Sequence, residues 1–167
     1  MNRFAFAAAF LSLTFHGLDA RADWESSLFP SDYTIESSLP KAIQTAIQTN
    51  KHVIVYYTRT SCPPCNLLQG FLRNDEVRSM YSKSYVFTAV WGNSMSHSQR
   101  ENYRIDFDIQ GAPTFLVYHS SGQYICTSRG GFGSVAAGKR LFSALEILLR
   151  EPIGQPTPGP KACPSAT

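Results

Sequence analysis

The apolar positions change period several times along the chain, and each change marks an element. Leu39, Ala42, Ile43, Ala46 and Ile47 recur at three- and four-residue spacing, the stripe of an amphipathic helix, with Pro40 admissible in its first turn and a stop near Asn50. The run HVIVYYT, residues 52–58, is β-branched and aromatic without a polar face, which predicts a central strand covered on both sides. Beyond Cys62 and Cys65, the positions Leu67, Leu68, Phe71 and Leu72 form a second helical stripe. Asn74-Asp75-Glu76 then offers a fresh N-cap, so the helix is expected to bend or restart before Val77, Met80 and Tyr81.

Residues 85–91 read as the second strand, 92–98 as a polar loop and 101–108 as a weak helical segment ended by Gly111-Ala112-Pro113. Residues 114–118 and 124–128 are two further strands joined by the turn Ser120-Ser121-Gly122-Gln123, a hairpin. Gly130, Gly131 and Gly133 break the chain before a last helix carrying Leu141, Phe142, Leu145, Leu148 and Leu149, which Pro152 ends. No internal repeat is present. Alternating elements followed by a hairpin predict an α/β fold: a mixed sheet of about four to five strands sandwiched by helices on both faces.

Composition agrees with one folded domain. The chain has 167 residues, 43% of them hydrophobic, with eleven Phe and eight Tyr, enough to bury a core and too apolar for a disordered chain. The net charge of +3 is modest, and Lys139-Arg140 is the only adjacent Lys/Arg pair, so no nucleic-acid partner is expected. Residues 1–22 read as an export signal: Arg3, an apolar run over residues 4–15 relieved by Ser12 and Thr14, and Ala20-Arg21-Ala22 as the cleavage site. A run of that length reaches only about 18 Å as a helix, short of the roughly 30 Å of a hydrocarbon core. The expected organisation is therefore a signal peptide (1–22), an extended lead-in (23–38), one domain (39–151) and a Pro/Gly-rich tail (152–167). The expected location is the periplasm or the exterior, where disulfides persist.

The pair Cys62-Pro63-Pro64-Cys65 admits three uses: redox exchange, metal binding or a structural staple. A tetrahedral zinc site needs two further ligands, and Cys126 and Cys163 do not form a second CxxC. Cu(I) is the sharper metal rival, since soft thiolates suit it and Met95 and His97 follow in the loop WGNSMSHS. For Cys126, in a predicted strand, and Cys163, in the tail, three readings stand: a disulfide across the sheet, a free buried thiol, or pairing between chains.

If Cys62 caps the helix after it, its sulfur sits at the positive helix end, which lowers its pKa, while Cys65 lies one turn in. Pro63 and Pro64 both lack N–H, so two donors that a helix start offers an anion are missing. A thiolate stabilised less strongly makes the dithiol a better reductant.

These features together resemble the thioredoxin superfamily. The resemblance spans about residues 39–151 and rests on VIVYYTRTSCPPCNLL, on Gly111-Ala112-Pro113-Thr114-Phe115 roughly fifty residues on, and on the hairpin and terminal helix. CxxCxxLxxxFL followed by NDEV is most similar to the exported and periplasmic thioredoxin-like reductases, including the type fused to membrane electron transporters. The resemblance implies a thioredoxin fold and a thiol–disulfide oxidoreductase of the protein-disulfide reductase type, reducing or isomerising protein disulfides. Cys62 is then the nucleophile and Cys65 the resolving cysteine, in an active-site loop with Pro63 and Pro64. Ala112 binds substrate through its backbone, and Pro113 follows a cis bond. No cofactor and no metal are implied, and a donor protein, such as a membrane thiol transporter, is expected to re-reduce a monomeric enzyme. The alternatives are a copper metallochaperone, although copper-delivering members space their cysteines by three residues, and a disulfide oxidase.

Two positions depart from the superfamily pattern. Tyr56 stands where a buried acid is usual, and Ser61 where an aromatic commonly precedes the first cysteine. Of the remaining candidates, Tyr56 is read as core, as are Tyr81, Tyr85, Phe87 and Trp91. His52 and His119 are read as strand-flanking edge residues, and Arg59 as a solvated side chain able to steer acidic partners.

Overall fold

In the computed structural model, which describes residues 29–129, 133–150 and 161–164, the elements follow in the order β1 (Thr34–Ile35), α1 (Leu39–Thr49), β2 (His52–Thr58), α2 (Pro63–Arg73), α3 (Asp75–Ser84), β3 (Tyr85–Trp91), a 3₁₀ turn (Gly92–Ser94), α4 (His97–Phe107), β4 (Thr114–Tyr118), β5 (Tyr124–Ser128) and α5 (Val135–Arg150). The expected signal peptide and its cleavage site, Gly130 and Gly131, and most of the tail lie outside the described residues. The five strands form one mixed sheet in the order β1-β3-β2-β4-β5. β3 runs parallel to β1 and β2, whereas β4 is antiparallel to both β2 and β5.

β2 is central because it has no side to give to water. Residues 53–58 are all buried. Ile54 and Tyr56 point into one core with Leu68, Phe71 and Leu72 of α2, Val77 and Tyr81 of α3, and Leu141, Leu145 and Leu149 of α5. Val53, Val55 and Tyr57 point into the other, against Ala42 and Ala46 of α1 and the half-buried Tyr103 and Phe107 of α4. The two-residue period of a strand divides this apolar run between two helix layers.

Local chemistry sets the helix limits. Asn50 ends α1 in the left-handed region at φ 52°, and its N–H donates to the Ala46 carbonyl. The expected restart is at Asn74, whose side-chain oxygen accepts from the N–H groups of Glu76 and Val77 to begin α3. Gly138 of α5 has no room for a Cβ, which would meet the Phe71 ring. That close approach also lets the Tyr81 hydroxyl donate to the Gly138 carbonyl at 3.2 Å.

One expectation needs correction, at the start of α4. Residues 97 and 98, read as loop, are helical: Ser96 Oγ accepts from Gln99 N–H at 3.2 Å while Ser96 N–H donates to Gln99 Oε1 at 2.8 Å, a capping box that starts α4 at His97. The lead-in, read as extended, contributes a strand: β1 pairs with β3, and Phe29 and Tyr33 are 2% and 5% exposed. Tyr33 is anchored where its hydroxyl donates to the Leu72 carbonyl at 2.8 Å. His52 and His119 flank strands as expected, at the start of β2 and just past the end of β4, and they meet there: the His52 ring lies 5.0 Å from that of His119, and its Nδ1 accepts the Ser120 N–H at 3.2 Å.

A piece of the tail closes the outer edge of the sheet. Thr127 donates its N–H to the Lys161 carbonyl at 2.7 Å and accepts from Cys163 N–H at 2.9 Å. Cys163 is disulfide-bonded to Cys126 of β5, across a sequence separation of 37. This arrangement covers backbone groups that an edge strand otherwise offers to other chains.

Two predictions follow from these contacts. Replacing both Cys126 and Cys163 by Ala releases a closed loop whose chain entropy corresponds to about 4 kcal/mol, so chemical denaturation is expected to show a loss of that order. An unchanged midpoint would mean that the tail pairing holds without the bond. The second concerns pH. Burial first, and then the neighbouring His119, lower the His52 pKa from 6.5 to about 4, and the ring faces His119 on one side and Tyr85 on the other. The unfolded chain takes up this proton near pH 6.5 while the folded chain resists it. The His52 contribution is therefore intact above about pH 7 and declines as pH falls from about 6.5 towards 4. Melting temperatures across this window are expected to fall less steeply for His52→Asn, whose amide oxygen can still accept from Ser120, than for the unaltered protein.

Candidate active site at the start of α2

β2 delivers the chain to the end of the sheet at Thr58, and a tight turn then reverses it into α2. Ser61 makes that turn in the left-handed region at φ 54°, a conformation uncommon for a residue with a side chain. The turn is braced from β3's end, where Asn93 Oδ1 accepts the Thr60 N–H at 2.8 Å. Cys62 is the N-cap of α2, in extended conformation, with Pro63 and Pro64 as the first helical residues. With both prolines lacking N–H, the first donor of the helix is Cys65 N–H, which reaches the Cys62 carbonyl at 2.9 Å and Cys62 Sγ at 3.3 Å.

The two sulfurs are joined in a disulfide, and their surroundings differ. Cys65 is 3% exposed and packs in the core with Tyr56 and Leu68, whereas Cys62 is half-buried at the surface of the same cluster. Cys62 Sγ lies 3.6 Å from the Ala112 carbonyl oxygen, which can accept an S–H once the pair is reduced. The Ala112–Pro113 bond is cis, and Thr114 Oγ1 donates to the Gly111 carbonyl at 2.7 Å, bracing this loop beside the cysteines. Positions 51 residues apart in sequence, Cys62 and Pro113, are thus held in one site by the antiparallel pairing of β2 with β4.

Tyr56, read as core, is 1% exposed. Its hydroxyl has no well-formed hydrogen bond, and burial raises its pKa, with the Thr58 side chain opposing weakly. It remains a neutral phenol at any physiological pH. Trp91, also read as core, is half-buried and belongs to the site, while Tyr81, Tyr85 and Phe87 are fully buried. Met95 is half-buried against the α1/α4 core, and His97 begins α4. Among the described residues no three His, Cys, Asp or Glu side chains converge as a metal-binding group.

Beside the disulfide opens a cavity of about 480 Å³, walled by both cysteines together with Thr58, Arg59, Ser61, Asn66, Gln69 and Trp91. The sequence pattern did not disclose it. Its one signal was Ser61, a small residue where the superfamily resemblance implies an aromatic.

The difference in exposure predicts a difference in reactivity. After reduction, limiting iodoacetamide is expected to alkylate Cys62 at least about tenfold faster than Cys65, since access and thiolate character govern the rate. Peptide mapping reads the ratio, and equal labelling would contradict the assignment of the exposed partner.

A sequence profile described as a thioredoxin-like domain matches residues 39–134. No curated protein matches the chain significantly. Among solved structures, a thioredoxin from Thermus thermophilus superposes with a TM-score of 0.58 at 17% identity, covering 71% of this chain and 91% of that one. A disulphide isomerase from Xylella fastidiosa superposes with a TM-score of 0.54 at 20% identity, covering 83% and 99%. At these identities the superpositions speak for the fold, and the profile speaks for the family: the chain belongs to the thioredoxin-like family, with a CxxC cysteine pair at the position where its sheet meets its second helix.

Proposed function

We propose that the protein is an exported thiol–disulfide oxidoreductase that works in the reducing direction on protein disulfides. The observation that carries this reading is the Cys62–Cys65 disulfide at the N-terminus of α2, one sulfur half-exposed beside the Ala112 carbonyl and the other buried. In the reduced protein, Cys62 as thiolate attacks a substrate sulfur and forms a mixed disulfide. Cys65 then attacks Cys62 Sγ, expels the substrate thiolate and closes the bond present in the structure. The Ala112 backbone at the lip of the site is positioned to pair with an extended substrate segment. A dithiol donor protein, such as a membrane thiol transporter, returns the pair to the reduced state. Export rests on the pattern of residues 1–22.

The reducing direction rests on the helix start. Oxidising members of such families gain their strength by stabilising the thiolate of the reduced form. Here Pro63 and Pro64 leave Cys65 N–H as the first backbone donor within reach of Cys62 Sγ.

Turbidimetric reduction of insulin by the purified protein with dithiothreitol tests the activity. Acceleration is expected for the unaltered protein and loss of it for Cys62→Ser, and Cys65→Ser is expected to accumulate a mixed disulfide visible by mass spectrometry. Equilibration with glutathione redox buffers tests the direction. A potential more negative than about −180 mV is expected, and Pro64→His, which restores an N–H and adds a cation, is expected to move it upward. A value for the unaltered protein near about −120 mV, that of a strong oxidant, would overturn the reducing direction.

A further inference from the structure

We propose that His52 and His119 form an acid-released latch: as neutral imidazoles they hold the β4–β5 turn closed, and the turn opens as they take up protons. The latch lies where β2 begins, at the end of that strand away from the cysteine pair, and stands independently of the oxidoreductase reading.

Two consecutive N–H groups of the turn find their acceptors in the two rings. Ser120 N–H donates to His52 Nδ1 at 3.2 Å, across 68 residues of sequence. Ser121 N–H donates to His119 Nδ1 at 3.1 Å, and the Ser121 hydroxyl lies 3.1 Å from the same nitrogen. A backbone amide only donates, so each Nδ1 must present its lone pair and each neutral ring must carry its proton on Nε2. Within the turn, His119 N–H donates to the Gln123 carbonyl and Gly122 N–H to the His119 carbonyl, both at 2.9 Å. Gly122, in the left-handed region at φ 85°, lies so close to α1 that a Cβ there would stand 3.1 Å from the Ile43 side chain. The closed turn is thereby tied to β2 by His52 and seated against α1.

Protonation is incompatible with this arrangement. A proton on either Nδ1 sets N–H against N–H and leaves a backbone donor of the turn without its acceptor. Protonating both rings would also place two cations 5.0 Å apart. The surroundings offer no compensation. His52 faces His119 on one side and the Tyr85 ring of β3, 6.1 Å away, on the other. The carboxylate behind Tyr85, Glu146 of α5, accepts from the Tyr85 hydroxyl at 3.4 Å, and Tyr81 of α3 packs on the same ring. Lys51, next in the chain to His52, donates to the Ser82 carbonyl at 2.8 Å. Among the described residues no carboxylate forms an ion pair with either histidine. Burial lowers the pKa of both rings, and His119 adds to the lowering at His52, which reaches about 4.

In the open turn both rings regain an ordinary value near 6.5. The open state therefore binds protons that the closed state refuses, and opening is favoured as pH falls from about 6.5 towards 4. Proton uptake at His52 alone raises the opening constant about twentyfold between pH 7 and pH 5, and His119 adds to this. The opening stays local. The pairing of Val53 with Tyr118 and the Cys126–Cys163 bond hold the strands beyond the turn.

Amide hydrogen exchange followed by NMR on the full chain, with both disulfides intact and rates corrected for the intrinsic effect of pH, tests the latch. Between pH 7 and pH 5 the protection of Ser120 and Ser121 is expected to fall by at least about tenfold. Val55 and Leu116, in the paired centre of β2 and β4, are expected to stay at least about tenfold better protected than the turn at pH 5. The double variant His52→Asn/His119→Asn retains an acceptor at both positions, since an Asn side chain readily takes an N–H two residues on, and has no ring to titrate. Its turn protection is expected to change by less than about threefold over the same range. Imidazole ¹⁵N shifts of the unaltered protein at pH 7 provide a measurement that needs no variant to fold, and both rings are expected to show the Nε2–H tautomer. A smaller fall at Ser120 and Ser121, a double variant that matches the fall of the unaltered protein, core amides that lose protection together with the turn, or an Nδ1–H tautomer at either ring overturns the proposal.

Discussion

The structure depends on β2 having nothing to give to solvent. A strand whose residues 53–58 are all buried must be paired on both edges and covered on both faces, or its backbone groups and side chains carry large desolvation penalties. Pairing with β3 and β4 satisfies the edges, and α1 with α4 on one face and α2, α3 and α5 on the other cover the side chains. The same pairing positions the site. β2 ends at Thr58, four residues before the Cys62 cap, and β4 begins at Thr114 directly after Pro113. Because the two strands are antiparallel neighbours, the end of one and the beginning of the other meet at the same edge of the sheet.

What happens at that edge is decided by hydrogen-bond supply. A helix N-terminus ordinarily presents several free N–H groups, which is why it favours an anion. Two consecutive prolines withdraw two of these, and Cys65 N–H divides its attention between the Cys62 carbonyl and Cys62 Sγ. The helix thus keeps its cap while offering limited backbone stabilisation to a thiolate. Tyr56 acts in the same sense. A buried acid beneath the cysteines would bring a negative charge into the core, whereas the phenol, its pKa raised by burial, brings none.

Much of this is legible in the sequence, and the parts that are not share a cause. The unbroken apolar run of β2, the stripe of α2 and the Asn74 restart are local signals, and the side chains that carry them act within a few residues of themselves. The capping box at Ser96 and Gln99 was also local, but the polar sequence WGNSMSHS resembles loop so strongly that the apolar period did not reveal the helix start. Thr34 and Ile35 were a harder case. Two residues cannot establish an alternation, and their strand exists only because β3 provides an edge more than fifty residues on. The cavity was least legible of all, since its wall is drawn from the turn after β2, from Asn66 and Gln69 of α2 and from Trp91 at the end of β3, which come together only in the fold.

Among the described residues are two disulfides, each joining a buried cysteine to a half-buried one, and their settings separate them. Thiol–disulfide exchange needs a thiolate to approach one sulfur, so what is packed and hydrogen-bonded around each cysteine governs its reactivity. Cys126 is 0% exposed, and its partner Cys163 is held by the hydrogen bonds of residues 161–163 to Thr127. Cys163 is half-buried, as Cys62 is, but its segment is hydrogen-bonded to the sheet edge. Cys62, by contrast, stands half-exposed at a helix cap with an open cavity beside it. One bond thus ties the tail to β5 within a run of backbone hydrogen bonds, whereas the other stands at a helix cap where the end of β2 presents it beside a cavity.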